Sequence, residues 1–109
     1  MVEVTCFFRS DSVRLTEEVK AQLDQVALQM KGEYDPDLRT ATAAVTGHAS
    51  SSEKATAESH VRLAELRAEF VKNYLVTRHG IDAMRITTAW ILDATADPDF
   101  ERKAVIVLS

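Results

Sequence analysis

The chain has 109 residues, 46% of them hydrophobic and 28% charged, with a net charge of −4; this suits one domain able to bury a real core. The negative balance, with no basic run and no ladder of aromatic residues, argues against non-specific nucleic-acid binding, which depends on clustered Lys and Arg. The single cysteine excludes an internal disulfide, and no segment approaches the roughly 20 apolar residues of a membrane-crossing helix.

Val2, Val4 and Cys6 alternate with Glu3, Thr5 and Phe7, which predicts a first strand over residues 2–8, with Cys6 packed as a small apolar residue. After a polar turn at 9–12, a helix is expected from about Thr16, its N-cap, with Glu17 and Glu18 at the positive end. Val19, Leu23, Val26, Ala27 and Met30 form its apolar stripe, and Gly32 is placed to stop it. Residues 33–38, with Asp35-Pro36-Asp37, read as a turn. A second strand is expected over 39–48, setting Ala41, Ala43 and Val45 against Thr40, Thr42 and Thr46; its small side chains would let a helix approach closely. Ser50, Ser51 and Ser52 make a polar loop, and a second helix runs from about 54 or 56 to Arg78, ended at His79-Gly80. A strand over 84–92 with Ile86, Thr88 and Trp90 on one side, a loop with Pro98, and a closing strand over 102–108 complete the chain. The order βαβαββ implies an α/β (α+β) two-layer sandwich, with two helices packed on one face of a mixed sheet.

The second helix holds the feature that matters most. At 100° per residue, Leu63, Ala64, Phe70, Val71, Tyr74 and Leu75 share one arc, and Arg62, Glu65, Glu69 and Lys72 share the opposite one. Arg67 sits in the middle of the apolar arc, with His60 about two turns before it. A guanidinium directed into a core is costly unless an anion or several acceptors meet it. Arg67 therefore has either a partner inside the protein or one arriving from outside. An internal salt bridge to Glu53, Glu101 or Asp93 is one expectation.

The same stretch carries a family resemblance. Gly47-His48 at a strand end resembles the G-H/Y-T-D of the OmpA-like domains (the C-terminal domains of OmpA, Pal and MotB). Leu63-Ala64-Glu65-Leu66-Arg67-Ala68 resembles their L-S-x-x-R-A, and Val71, Tyr74 and Leu75 complete V-x-x-Y-L. Gly80-Ile81 and the closing run Arg102-Lys103-Ala104-Val105-Ile106-Val107 also fit, as do Phe7-Phe8, Leu15 and Leu23-Asp24 upstream. The likeness spans nearly the whole chain. It implies a non-catalytic cell-envelope module that associates with the peptidoglycan stem peptide. In the family, an Asp and the Arg of R-A grip diaminopimelate, a ligand presenting carboxylate and ammonium together.

The departures from this pattern bear on the same site. The Asp position is Ser50 counted from the strand and Ser52 counted from the helix, because the loop is two residues longer than usual. The family Asn that opens the helix is His60, and its small Ser is Ala64. Either Glu53 swings in as a replacement acid, or the clamp is lost and the fold serves protein contacts or dimerisation. For that second case the off-stripe Leu28, Leu66 and Val76 are the expected contacts. Trp90 stands where relatives often carry a small residue, so it either packs at the sheet edge or fills part of the pocket; Glu101 replaces a family Asn near the same rim. The candidate ligand-binding residues are Arg67, His48, Ser50, Ser52, Glu53 and His60. His48, His60 and His79 match no metal-binding spacing, and the serines near them lack a nucleophile elbow and an orienting acid. With three glycines and no glycine-rich loop before a helix, a phosphate cradle is not expected either. The expectation is thus no enzyme, metal or cofactor, and peptidoglycan or envelope proteins as partners. A single domain over 1–109, periplasmic by resemblance and excised from a larger envelope protein, completes the reading.

Overall fold

The computed structural model describes residues 2–9, 12–50, 57–93 and 102–109. Its elements follow the expected order: β1 (Val2–Phe7), α1 (Glu17–Met30), β2 (Ala43–Ser50), α2 (Ala57–His79), β3 (Ile86–Asp93) and β4 (Lys103–Leu108). The sheet order is β1-β4-β2-β3. β4 lies antiparallel between β1 and β2, while β2 and β3 run parallel with α2 as the crossover between them. The described part is a mixed four-stranded sheet with two helices, the α/β sandwich that the pattern implied.

Local chemistry explains the element bounds. The Thr16 hydroxyl accepts from the Val19 amide at 3.3 Å and caps α1. At the other end Gly32, at φ 76°, donates to the Gln29 carbonyl while Glu33 donates to Leu28, closing a Schellman turn that needs a left-handed residue. β2 begins at Ala43, four residues later than expected, because Pro36–Thr40 forms a 3-10 turn. The Asp35 carboxylate caps that turn through the Asp37 amide at 3.0 Å. Arg85 then donates to the carbonyls of Met30, Leu38 and Ala41, holding the turn against the end of α1. A second 3-10 turn, Ala83–Arg85, is capped by Asp82 and delays β3 to Ile86.

Strand register sorts the side chains. Cys6 pairs with Ala104, which pairs in turn with Gly47, and Val4, Ile106 and Val45 form the neighbouring row. These residues face the helices and join Val19, Leu23, Val26, Met30, Val71 and Leu75 in one core. Burial pushes the Cys6 thiol up to about 11, so it stays a protonated, apolar filler.

The seam of α2 against the sheet is Ala64, Arg67, Ala68, Val71 and Leu75, all buried. Leu63 and Tyr74, expected on that seam, are half-buried at its flanks, and Phe70 is exposed. The cause is the closeness of approach: a Cβ added at Gly47 would lie 1.9 Å from the Ala64 carbonyl oxygen and 2.9 Å from the Ala68 amide. Only small residues fit where α2 crosses Gly47, so the bulky ones are displaced sideways. Leu28, Leu66 and Val76, expected near solvent, are half-buried, and Val76 packs against the core. The exposed large apolar residues include Met84 and Tyr34 and a run of three, Trp90, Ile91 and Leu92, at the end of β3.

Gly47→Ala is expected to destabilise the fold by at least about 3 kcal/mol, because backbone on α2 cannot yield locally. Gly80→Ala, at φ 70° but with open space around it, is expected to cost only about 1 kcal/mol. Urea denaturation of both variants checks this; equal losses would show that the helix gives way.

Candidate functional site

Among the described residues Arg67 is the one charged or polar side chain that is buried, with 0% exposure. It is also the largest of the fully buried side chains. It reaches from α2 to the ends of β1 and β2. Nε donates to the Ser12 carbonyl at 3.1 Å, Nη1 to the His48 carbonyl at 2.9 Å, and Nη2 to the Arg9 carbonyl at 3.2 Å. Its guanidinium carbon lies 5.4 Å from the centroid of the Phe8 ring, a cation–π contact. The His48 carbonyl is available because β2 pairs with β4 only as far as Gly47. Arg9 and Ser12 belong to the β1–α1 connection, where the Ser12 amide also donates to the Arg9 carbonyl at 3.1 Å. One planar fork of donors thus fastens two connections that are far apart in sequence.

Three main-chain oxygens meet part of the demand made by a buried guanidinium. Of the acids considered, Glu53 and Glu101 lie outside the described residues, and for Asp93 the main chain alone is described. The remaining candidate residues divide in the same way. His48 contributes its carbonyl, whereas its ring, by strand alternation, projects from the face opposite Gly47. Ser50 ends β2, and His60 lies in the first turn of α2; the side chains of both are outside the description. Ser52 lies outside the described residues altogether. Trp90 is in register with Gly47 and so stands on the α2 side of the sheet. It is 46% exposed at the edge, beside Glu65, Ala68 and Glu69.

Sequence reasoning missed Arg9, Ser12 and Arg14. A cavity of about 230 Å³ opens against the Arg67 knot and is lined by these three with Leu15, Thr16 and Glu17. Two arginines in one turn before a helix start was the available signal. The Ser12 hydroxyl accepts from the Arg14 amide at 3.1 Å, a turn contact and not the activation of a nucleophile. Among the described residues no group of three or more His, Cys, Asp or Glu side chains could hold a metal ion, and no helix is long and apolar enough to cross a membrane.

A second polar cluster, away from Arg67, joins α1 to the end of α2. Asp24 Oδ1 accepts from the Tyr74 hydroxyl at 2.7 Å and lies 2.6 Å from His79 Nε2, with the Tyr74 and His79 rings edge to face. The Tyr74 and His79 hydrogen bonds hold the Asp24 carboxyl below its ordinary 3.8, aided by charge on His79 and Arg78 and opposed by desolvation. The same bond raises the Tyr74 phenol above 10.0.

A mixed four-stranded sheet with two helices, with an arginine of the crossover helix fixed at the strand ends, defines an OmpA-like α/β sandwich. The chain belongs to the OmpA family, whose family model matches residues 7–103. It is similar in structure to the peptidoglycan-associated lipoprotein from Burkholderia pseudomallei, with TM-score 0.75 and 21% identity, covering 96% of this chain and 89% of that one. The OmpA-like domain of FopA1 from Francisella tularensis gives TM-score 0.78 and 21% identity over 98% of this chain and 71% of that one. The cell wall anchor of the T6SS from Pseudomonas aeruginosa gives 0.69 and 25% over 95% and 78%. No curated protein matches the chain.

The Asp24 cluster yields a pH dependence with a definite sign. A depressed carboxyl contributes stability that is present above 3.8 and is lost as pH falls through the lower folded-state value. A raised phenol contributes stability that is present below 10.0 and is lost as pH rises through the higher folded-state value. Tyr74→Phe is therefore expected to flatten both limbs of the stability–pH curve while leaving neutral stability the least changed in slope. Unchanged acid and alkaline slopes in urea titrations would contradict the assignment.

Proposed function

We propose that this domain associates non-covalently with the peptidoglycan stem peptide and makes or breaks no bond. The observation that carries the reading is the position of Arg67: a guanidinium beneath the strand ends, oriented by carbonyls of the β1–α1 connection and of the end of β2. A guanidinium held in one plane at the strand ends presents donors whose geometry matches a planar carboxylate. Family membership and the likeness to a peptidoglycan-associated lipoprotein and a cell wall anchor support the same conclusion.

On this reading Arg67 is the anchor for a stem-peptide carboxylate, and groups from His48 to Glu53, with His60, complete the rim. Glu53 supplies the acid that the family's Asp supplies elsewhere, meeting the ammonium of diaminopimelate. The domain then tethers a periplasmic or outer-membrane component to the wall by reversible polar contacts.

Titration with a diaminopimelate-containing stem peptide tests the proposal. Saturable binding is expected, weakened at least about tenfold by Arg67→Lys, which keeps the charge but loses the planar fork. Glu53→Gln is expected to weaken binding to a similar degree. Absence of binding by the folded wild-type domain would overturn the reading and leave the site as a structural relic.

A further inference from the structure

The two edges of the sheet are built differently, and the difference points to a partner. β1, one edge, carries a charge at Glu3, and its Thr5 carbonyl is occupied by the Gln22 side chain of α1 at 3.1 Å. Natural edge strands are commonly guarded in this way, by charge or by a covering group. β3, the other edge, has no charged residue, proline or glycine from Ile86 to Leu92. Among the described residues β2 is its one strand partner, and Thr87 through Leu92 are all exposed. A long, uncharged edge presents a row of backbone donors and acceptors that a further β-strand would satisfy.

We propose that this edge pairs with the β3 edge of a second copy of the chain, antiparallel and about a two-fold axis near Ala89. The sequence of the strand is complementary to itself in that arrangement. Its first half is small, with Thr87 and Thr88, and its second half is bulky, with Trp90 and Ile91. Reversal about Ala89 places Trp90 beside Thr88 of the second copy and Ile91 beside Thr87, so large residues meet small ones in both directions. The adjoining flank of α2 agrees. Ala68 and Glu65 border the cleft beside Thr88 and Trp90, and Lys72 lies seven residues after Glu65 on the same helix face. The axis that passes Ala89 runs beside Ala68, which directs Glu65 of one copy toward Lys72 of the other. Within its own helix Glu65 accepts from Arg62 at 3.1 Å, and Glu69, nearest the axis, lies 3.8 Å from the same guanidinium. The join would extend two four-stranded sheets into one of eight strands.

A cysteine cross-link tests this without background, because the sole native thiol, Cys6, is fully buried. Under mild oxidation Ala89→Cys is expected to form a covalent dimer at least about tenfold faster than the control Glu3→Cys on the guarded edge, since pairing raises the local thiol concentration. In sedimentation equilibrium the wild type is expected to show a concentration-dependent dimer, and Ala89→Lys, setting like charges together on the axis, to dissociate at least about tenfold more readily. Equal cross-linking rates, a wild type that stays monomeric, or a dimer indifferent to Ala89→Lys would each overturn the proposal. Capture of an unrelated extended peptide on β3 without self-association would also overturn it. None of these outcomes depends on whether the stem peptide binds.

Discussion

A positive charge buried beneath the strand ends sets the terms for the rest of this molecule. Placing Arg67 at 0% exposure removes a strongly hydrated group from water, and that is tolerable only if its N–H groups are met. Carbonyl oxygens of Arg9, Ser12 and His48 meet them, and the Phe8 ring lies close to the guanidinium carbon. The cost of leaving any of these groups unmatched keeps the β1–α1 connection and the end of β2 in a fixed relation. Charge and architecture therefore depend on each other: without the fork the connections lose their tie, and without the connections the fork cannot be buried.

The tie works only because α2 comes very close to the sheet. Gly47 leaves no room for a β-carbon beneath Ala64, and Ala64 and Ala68 bring the helix backbone down onto it. That contact lowers Arg67 to the level of the strand ends, where carbonyls beyond the β4 ladder remain to be bonded. Arg85 performs a similar service at the opposite end of the sheet, gathering the carbonyls of Met30, Leu38 and Ala41. In both places an arginine does for irregular backbone what a hydrogen-bond ladder does for a strand. On the function proposed above, the first of these knots also serves as the floor of a carboxylate site.

Much of the architecture was legible from periodicity. The stripe of α1, its Thr16 cap and its Gly32 stop follow from local chemistry and were read directly, as were the order of elements and the anomaly of Arg67. Where the reading slipped, the cause was tertiary. The 3-10 turn at Pro36–Thr40 owes its shape to Arg85, almost fifty positions later, so no local pattern could reveal that β2 starts at Ala43. The seam of α2 shifted from bulky to small residues because Gly47 dictates the spacing, a condition invisible from within the helix. Arg67 also meets main-chain oxygens, which carry no sequence signature at all. Tyr74 and His79 read as a core residue and a helix terminus; that both meet Asp24 required knowing how α1 lies against α2.

The central claim is that the Arg67 guanidinium is buried and held in one orientation, with main-chain carbonyls of the β1–α1 connection and of β2 among its acceptors. Hydrogen exchange at its Nε–H, followed by nitrogen-edited NMR and assigned through loss of the signal in Arg67→Lys, addresses this most directly. A resolved Nε–H resonance that exchanges far more slowly than those of the surface arginines Arg62 and Arg78 is the predicted result. Exchange at the rate of those surface residues would contradict the account, since it would show the fork open to water and the two connections untied.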